Sequence, residues 1–146
     1  MTPNNPRTPS EPGDPLETII RTITQAQVEA YAKAAGDYNP IHLDPEFAAK
    51  TPFGRRIAHG MLTLAIVSEM LTSAYPEHWA FGGRLKVRFR GPVFPGETVQ
   101  TSGEVTRVKE VDGVRVVEIA VGVRKEDGSD VITGQAFIPV HDSPAT

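Results

Sequence analysis

The stretch Gly36-Asp37-Tyr38-Asn39-Pro40-Ile41-His42 gathers a carboxylate, an amide and an imidazole into one short run. Pro40 stiffens it. Across a single turn the side chains of Asp37 and His42 can reach one water molecule, which is what a general acid–base pair requires. Loops held by rigid elements are where such groups tend to sit. The same residues also make ordinary turns: Asp37 as a cap, Asn39-Pro40 as a turn start, His42 as a satisfied histidine. Spacing alone leaves both readings open. The chain has 4 histidines and no cysteine, so thiolate nucleophiles, disulfides and Cys-type zinc sites drop out. The histidines lack a metal-site spacing such as H-x-x-x-H, and no metal is expected.

A second chemical feature is Ile57-Ala58-His59-Gly60-Met61, at the start of a strongly apolar segment. A helix beginning there leaves backbone N–H groups unpaired and attractive to negative charge. Gly60 has no side chain to block approach, so an oxyanion can rest on its N–H. The plainer reading is that Gly60 merely eases a tight entry into the helix.

These groups need elements to hold them. Residues 16–23 read as a first strand. Thr24 with Gln27 forms a capping box, and Val28, Tyr31, Ala32 and Ala35 mark one face of a helix ended by Gly36. A loop of residues 37–42 follows, then Asp44 caps a short helix with Pro45 at its first position. Residues 51–56 are a second loop. Residues 61–74 read as a helix apolar nearly all round, which must be buried by a sheet wrapped about it. Strands are expected at residues 85–89, 98–109, 117–123 and 131–140, with Asp112-Gly113 and Asp127-Gly128 as turns. Tyr31 and Phe47 read as core, and His78 and Trp79 fall in a loop, with Trp79 packing. The order is helix-rich first and strand-rich second: an α+β domain.

Bulk properties bound the function. A chain of 146 residues is one domain, and a net charge of -3 gives no footprint for nucleic acid. No apolar run is long enough for a membrane helix, and the opening residues have no apolar leader, so a cytoplasmic protein is expected. Residues 1–15, with prolines at positions 3, 6, 9, 12 and 15, read as a disordered arm before a domain at 16–140, and residues 141–146 as a flexible tail.

Three phrases carry a resemblance. The stretch 31–42 with its GDYNPIH core, FGRRIAHGML at 53–62 and VRFRGPVFPGE at 87–97 together resemble the MaoC-like dehydratases and R-specific enoyl-CoA hydratases, in order and over roughly residues 22–140. The resemblance implies a hot-dog fold, an antiparallel sheet wrapped around one long central helix, paired into a homodimer. It makes Asp37 and His42 the catalytic pair and puts Asn39 in the same loop. It gives Gly60 the N–H that holds a thioester oxygen, and assigns Ser68 and Phe89 to the acyl substrate. Ala35 departs from the motif, which usually carries Ser, Thr, Gly or Cys there.

The implied reaction is reversible addition of water to a trans-2-enoyl thioester, giving a (3R)-3-hydroxyacyl thioester. Coenzyme A or acyl carrier protein enters only as part of the substrate, and no other cofactor is implied. His59 reads as structural, fixing the loop before the helix. Arg84, Lys86, Arg88 and Arg90 read as a solvated face, with the phosphates of a pantetheine carrier as the less ordinary alternative. Two other functions share the fold: a non-catalytic or partner-dependent subunit, which has no need of both Asp37 and His42, and an acyl thioesterase, whose acid would stand differently on the central helix, where Glu69 falls a full two turns in. The GDYNPIH loop argues against the thioesterase.

Overall fold

The computed structural model describes residues 8–141. Five strands form one antiparallel sheet in the order β1-β3-β4-β5-β2. They are β1 (Ile20–Thr22), β2 (Arg84–Phe89), β3 (Thr98–Val111), β4 (Val114–Lys125) and β5 (Asp130–Val140). The helices are α1 (Gln25–Ala35), α2 (Pro40–Leu43), α3 (Pro45–Ala49), α4 (Gly60–Ala74) and α5 (Pro76–Gly82).

The sheet buries one face only. Val117, Ile119, Val121 and Val123 of β4 point inward, as do Ile132, Ala136 and Ile138 of β5, against Ile66, Val67, Met70 and Leu71 of α4. Each of these valine, isoleucine, leucine and methionine side chains contributes about 1.5–3 kcal/mol on leaving water. The expected central helix is therefore present, starting one residue earlier, at Gly60.

A flat sheet would not close round a helix. Gly103, Val121, Gly134 and Val87 stand opposite one another across four strands. A Cβ on Gly134 would lie 2.2 Å from the Lys86 carbonyl oxygen, and one on Gly103 would lie 3.1 Å from Met70 and Leu16. The two glycines let the sheet bend tightly along this row. At the β3–β4 hairpin Asp112 and Gly113 have φ of 52° and 77°, the positive angles that a two-residue turn demands.

Four expectations need correction. Only Ile20–Thr22 of the predicted first strand pairs as a strand, with β3. Residues 8–15, placed in a disordered arm, instead run along the remaining edge of β3. Gly13 donates to the Val105 carbonyl at 2.8 Å and Val105 to that of Asp14 at 2.9 Å. The open edge of β3 offers partners that composition does not reveal; residues 1–7 of that arm, and 142–146 of the tail, lie outside the described residues. His78 and Trp79 belong to α5, not a loop, and Pro76 and Glu77 begin that helix. Phe47 is 46% exposed because α3 lies at the surface and buries only Ala48.

Tyr75, fully buried at the end of α4, donates its hydroxyl to the Pro9 carbonyl at 2.7 Å and pins residues 8–15. Burial, and after it the Asp14 carboxylate, hold its phenol well above the ordinary tyrosine range. The folded state thus keeps a proton that the unfolded chain releases above about pH 10. Stability is fully present below that pH and falls above it, by up to about 1.4 kcal/mol per pH unit from this group. Denaturant unfolding between pH 9 and 11 measures the slope, and Tyr75→Phe removes this group's share of it.

Candidate active site

Gly36 ends α1 in the left-handed region, φ 71° and ψ 21°, and turns the chain so that Asp37 leaves the helix axis. Asp37 Oδ1 accepts the Asn39 N–H at 3.3 Å. Asn39 Oδ1 in turn accepts the Ile41 N–H at 3.1 Å and caps α2, with Pro40 at its first position. The expected loop 37–42 is thus a turn followed by one turn of helix. Its alternative readings coexist: Asp37 does serve a turn, and that bond uses only one carboxylate oxygen.

His42 closes α2. Its Nδ1 lies 2.7 Å from the Ile57 carbonyl, so Nδ1–H donates and Nε2 keeps its lone pair for proton transfer. The His42 carbonyl accepts from Gln25 Nε2 at 3.0 Å. His59, 2% exposed, lies beneath. Its ring stacks on that of His42 at 3.8 Å and meets Tyr31 at 4.8 Å. Its Nε2 donates to the Asp37 carbonyl at 3.1 Å, and its Nδ1 is buried without a partner. Tyr31 is therefore the wall behind a histidine pair rather than plain core.

Asp37, His42 and His59 each offer a ligand-type atom, and these atoms lie within 4.8 Å of one another. A water molecule bridges groups at that separation. A metal ion fits poorly, because it must lie about 2.0–2.1 Å from each imidazole nitrogen, close to both ring planes. Two rings stacked at 28° with centroids 3.8 Å apart have nearly parallel planes, and one ion cannot lie close to both.

The other half of the site is the start of α4. His59 is its N-cap residue, yet the side chain makes no cap bond. The Gly60 N–H donates to nothing among the described residues. Gly60 lines a cleft of about 370 Å³ whose walls include Phe53, Ile57, Thr63, Phe89 and Val131. The ring of Phe89 approaches so closely that a Cβ on Gly60 would lie 3.0 Å from it. Ile57 joins the halves: its side chain faces the cleft while its carbonyl holds His42.

Of the residues singled out from sequence, Asp37, Asn39 and His42 share one turn, and Gly60 and Phe89 share one cleft. Asn39 commits its side-chain oxygen to capping. Ser68 joins neither group: its hydroxyl accepts the Trp79 indole N–H at 3.0 Å and ties α5 to α4. α4 presents Ser68 toward α5 rather than toward the cleft that Gly60 lines. Glu69 pairs with Arg21 at the surface, away from the acid position a thioesterase needs. Arg84, Lys86 and Arg88 stand on the exposed face of β2, and Arg90 donates to Thr133 at 2.9 Å. Sequence reasoning missed Gln25, whose bond to His42 spans 17 residues and leaves no local signal.

A long helix embraced by one antiparallel sheet defines a hot-dog fold, and a turn carrying a carboxylate and an imidazole lies beside the helix start. The chain belongs to the MaoC-like domain family, whose model matches residues 7–127. It is similar to the (R)-specific enoyl-CoA hydratase of Aeromonas caviae, 34% identical over 120 residues, or 82% of this chain and 88% of that protein. The solved structure of the A. caviae (R)-hydratase, described as involved in PHA biosynthesis, superposes with a TM-score of 0.77 over 90% of this chain and 97% of that one, at 30% identity. The 3-hydroxybutyryl-CoA dehydratase of Methylorubrum extorquens is 39% identical over 92 residues, spanning 63% of this chain and 59% of that protein. A monoamine oxidase regulatory protein from Archaeoglobus superposes at a TM-score of 0.80 with 33% identity, over 92% of each chain.

Proposed function

We propose that this protein adds water to a trans-2-enoyl thioester and, in reverse, dehydrates the (3R)-3-hydroxyacyl thioester. One observation carries the reading: an imidazole whose Nδ1 is held by a backbone carbonyl and a carboxylate offer ligand-type atoms within 4.8 Å of one another, a separation one water bridges, next to an uncapped helix start. Water held by Asp37 and His42 adds at C3 of the acyl chain, and the pair delivers a proton to C2. Negative charge grows on the thioester oxygen, where the Gly60 N–H and the start of α4 stabilise it. The chemistry calls on no cofactor beyond the carrier. The cleft lies in the size range of small-molecule sites, with apolar walls for an acyl chain.

The test is loss of the enoyl ultraviolet absorbance when purified protein meets crotonyl-CoA and longer enoyl-CoAs, with the product resolved by chirality. A (3R) product is expected; no hydration at any chain length overturns the reading.

The functional unit is proposed to be a homodimer. β2 ends the sheet with one side unpaired, and Phe53, Met61 and Phe89 stand 41%, 56% and 53% exposed near the cleft. Such edges and apolar groups are ordinarily covered. Sedimentation equilibrium should return twice the chain mass, and a monomer at assay concentrations would refute it. Among the described residues no helix is long and apolar enough to cross a membrane.

A further inference from the structure

We propose that His59 is the positioning residue of the acid–base pair, kept in the core for geometry rather than for packing. The idea rests on the roles given above to Asp37 and His42. His59 touches both at once. Its Nε2–H holds the Asp37 backbone carbonyl at 3.1 Å, and its face carries the His42 ring at 3.8 Å. The backbone of one reacting residue and the ring of the other are therefore both fixed against a single imidazole, itself braced from behind by Tyr31 at 4.8 Å.

Stability alone would place a different residue here. A buried ring nitrogen without a partner costs free energy that an aromatic hydrocarbon avoids. Position 59 is also the N-cap of α4, where Ser, Thr, Asp or Asn would bond the free N–H groups. His59 makes no such bond, and the first N–H groups of α4 stay open to an incoming oxygen. The imidazole thus forgoes two stabilising options. In exchange it supplies a flat face and an N–H donor in one small ring, and it leaves the helix start open.

Two variants separate the two contacts. His59→Phe keeps the face and loses the donor, while His59→Gln keeps a donor and loses the face. For each, thermal stability, kcat and KM with crotonyl-CoA are measured beside the nuclear magnetic resonance signals of the Asp37 carbonyl carbon and the His42 ring nitrogens. In His59→Phe, melting at or above the wild-type temperature is expected, with KM nearly unchanged and kcat lower on the order of 10²-fold, the cost of a misplaced reacting group. The Asp37 carbonyl signal should move in His59→Phe and return in His59→Gln, whereas the His42 signals should move in His59→Gln. Wild-type kcat in His59→Phe overturns the proposal, as does a loss of kcat that merely follows a fall in melting temperature. If the wild type hydrates nothing, the enzymatic reading fails by itself. The resonance measurements then decide this one, and unmoved Asp37 and His42 signals in both variants reject it.

Discussion

Asp37→Asn and His42→Gln each lose on the order of 10²–10⁴ in kcat for crotonyl-CoA hydration, the usual contribution of one general acid or base. Both changes are close to isosteric. Asn at position 37 still offers an oxygen to the Asn39 N–H, and the Asp37 side chain lies at the surface, so folding should be little affected. Gln at position 42 reaches toward the Ile57 carbonyl but has no second nitrogen to exchange a proton. The double variant should be scarcely slower than the worse single one, because both residues act on the same water and groups that work as a unit are not additive. Kinetics on the three variants, with melting curves to establish folding, check this. Full activity in either single variant sinks the mechanism even if the wild type proves to be a hydratase.

Gly60→Pro replaces the backbone N–H with a ring carbon and should cost about 10²–10³ in kcat/KM beyond what Gly60→Ala costs. The backbone tolerates the change. Position 60 is the first residue of α4, where proline fits because no helical acceptor awaits its N–H. The preceding residue must be extended before proline, and His59 already has φ -62° and ψ 136°. Proline also adds a Cβ, which meets the Phe89 ring at 3.0 Å. Gly60→Ala adds that same Cβ but keeps the N–H, so the difference between the two variants reports the N–H together with the ring carbons that take its place. Phe89 is half exposed and able to swing away, so the alanine variant should retain much of its activity. Equal rates in the two variants would show that the Gly60 N–H does not hold the developing charge.

How much of this was visible in the sequence depended on the period of each signal. Val117, Ile119, Val121 and Val123 alternate because β4 buries one face only, and that pattern reads directly as a strand. The apolar run after Gly60 reads as a buried helix for a similar reason. Its very completeness hid the phase: with apolar residues on nearly every side, nothing local told whether Ser68 faced the cleft or α5. The helix α5 spans only seven residues, too few for a period to show. Residues 8–15 look disordered by composition, and only the open edge of a strand some 90 residues later, a distance readable from Gly13 and Val105, gives them a place. For the site, the spacing of Asp37 and His42 was legible but ambiguous between a turn and a catalytic pair. The stacking on His59, and the Ile57 carbonyl that fixes the proton on Nδ1, depend on three separate segments meeting.

One pattern among those bonds bears on how the protein can vary. The Asp37, His42 and Ile57 carbonyls take the hydrogen bonds that assemble the turn, from His59, Gln25 and His42 respectively. Every amino acid brings the same carbonyl, so these three bonds do not depend on which side chains the accepting residues carry. Tyr38, 60% exposed and in contact with none of these bonds, is free to be exchanged, and so is the outward surface of α2. The chemistry and the surface around its entrance are in this sense separable. Selection, natural or in the laboratory, can recut the surface around the turn while the proposed acid–base pair stays where it is.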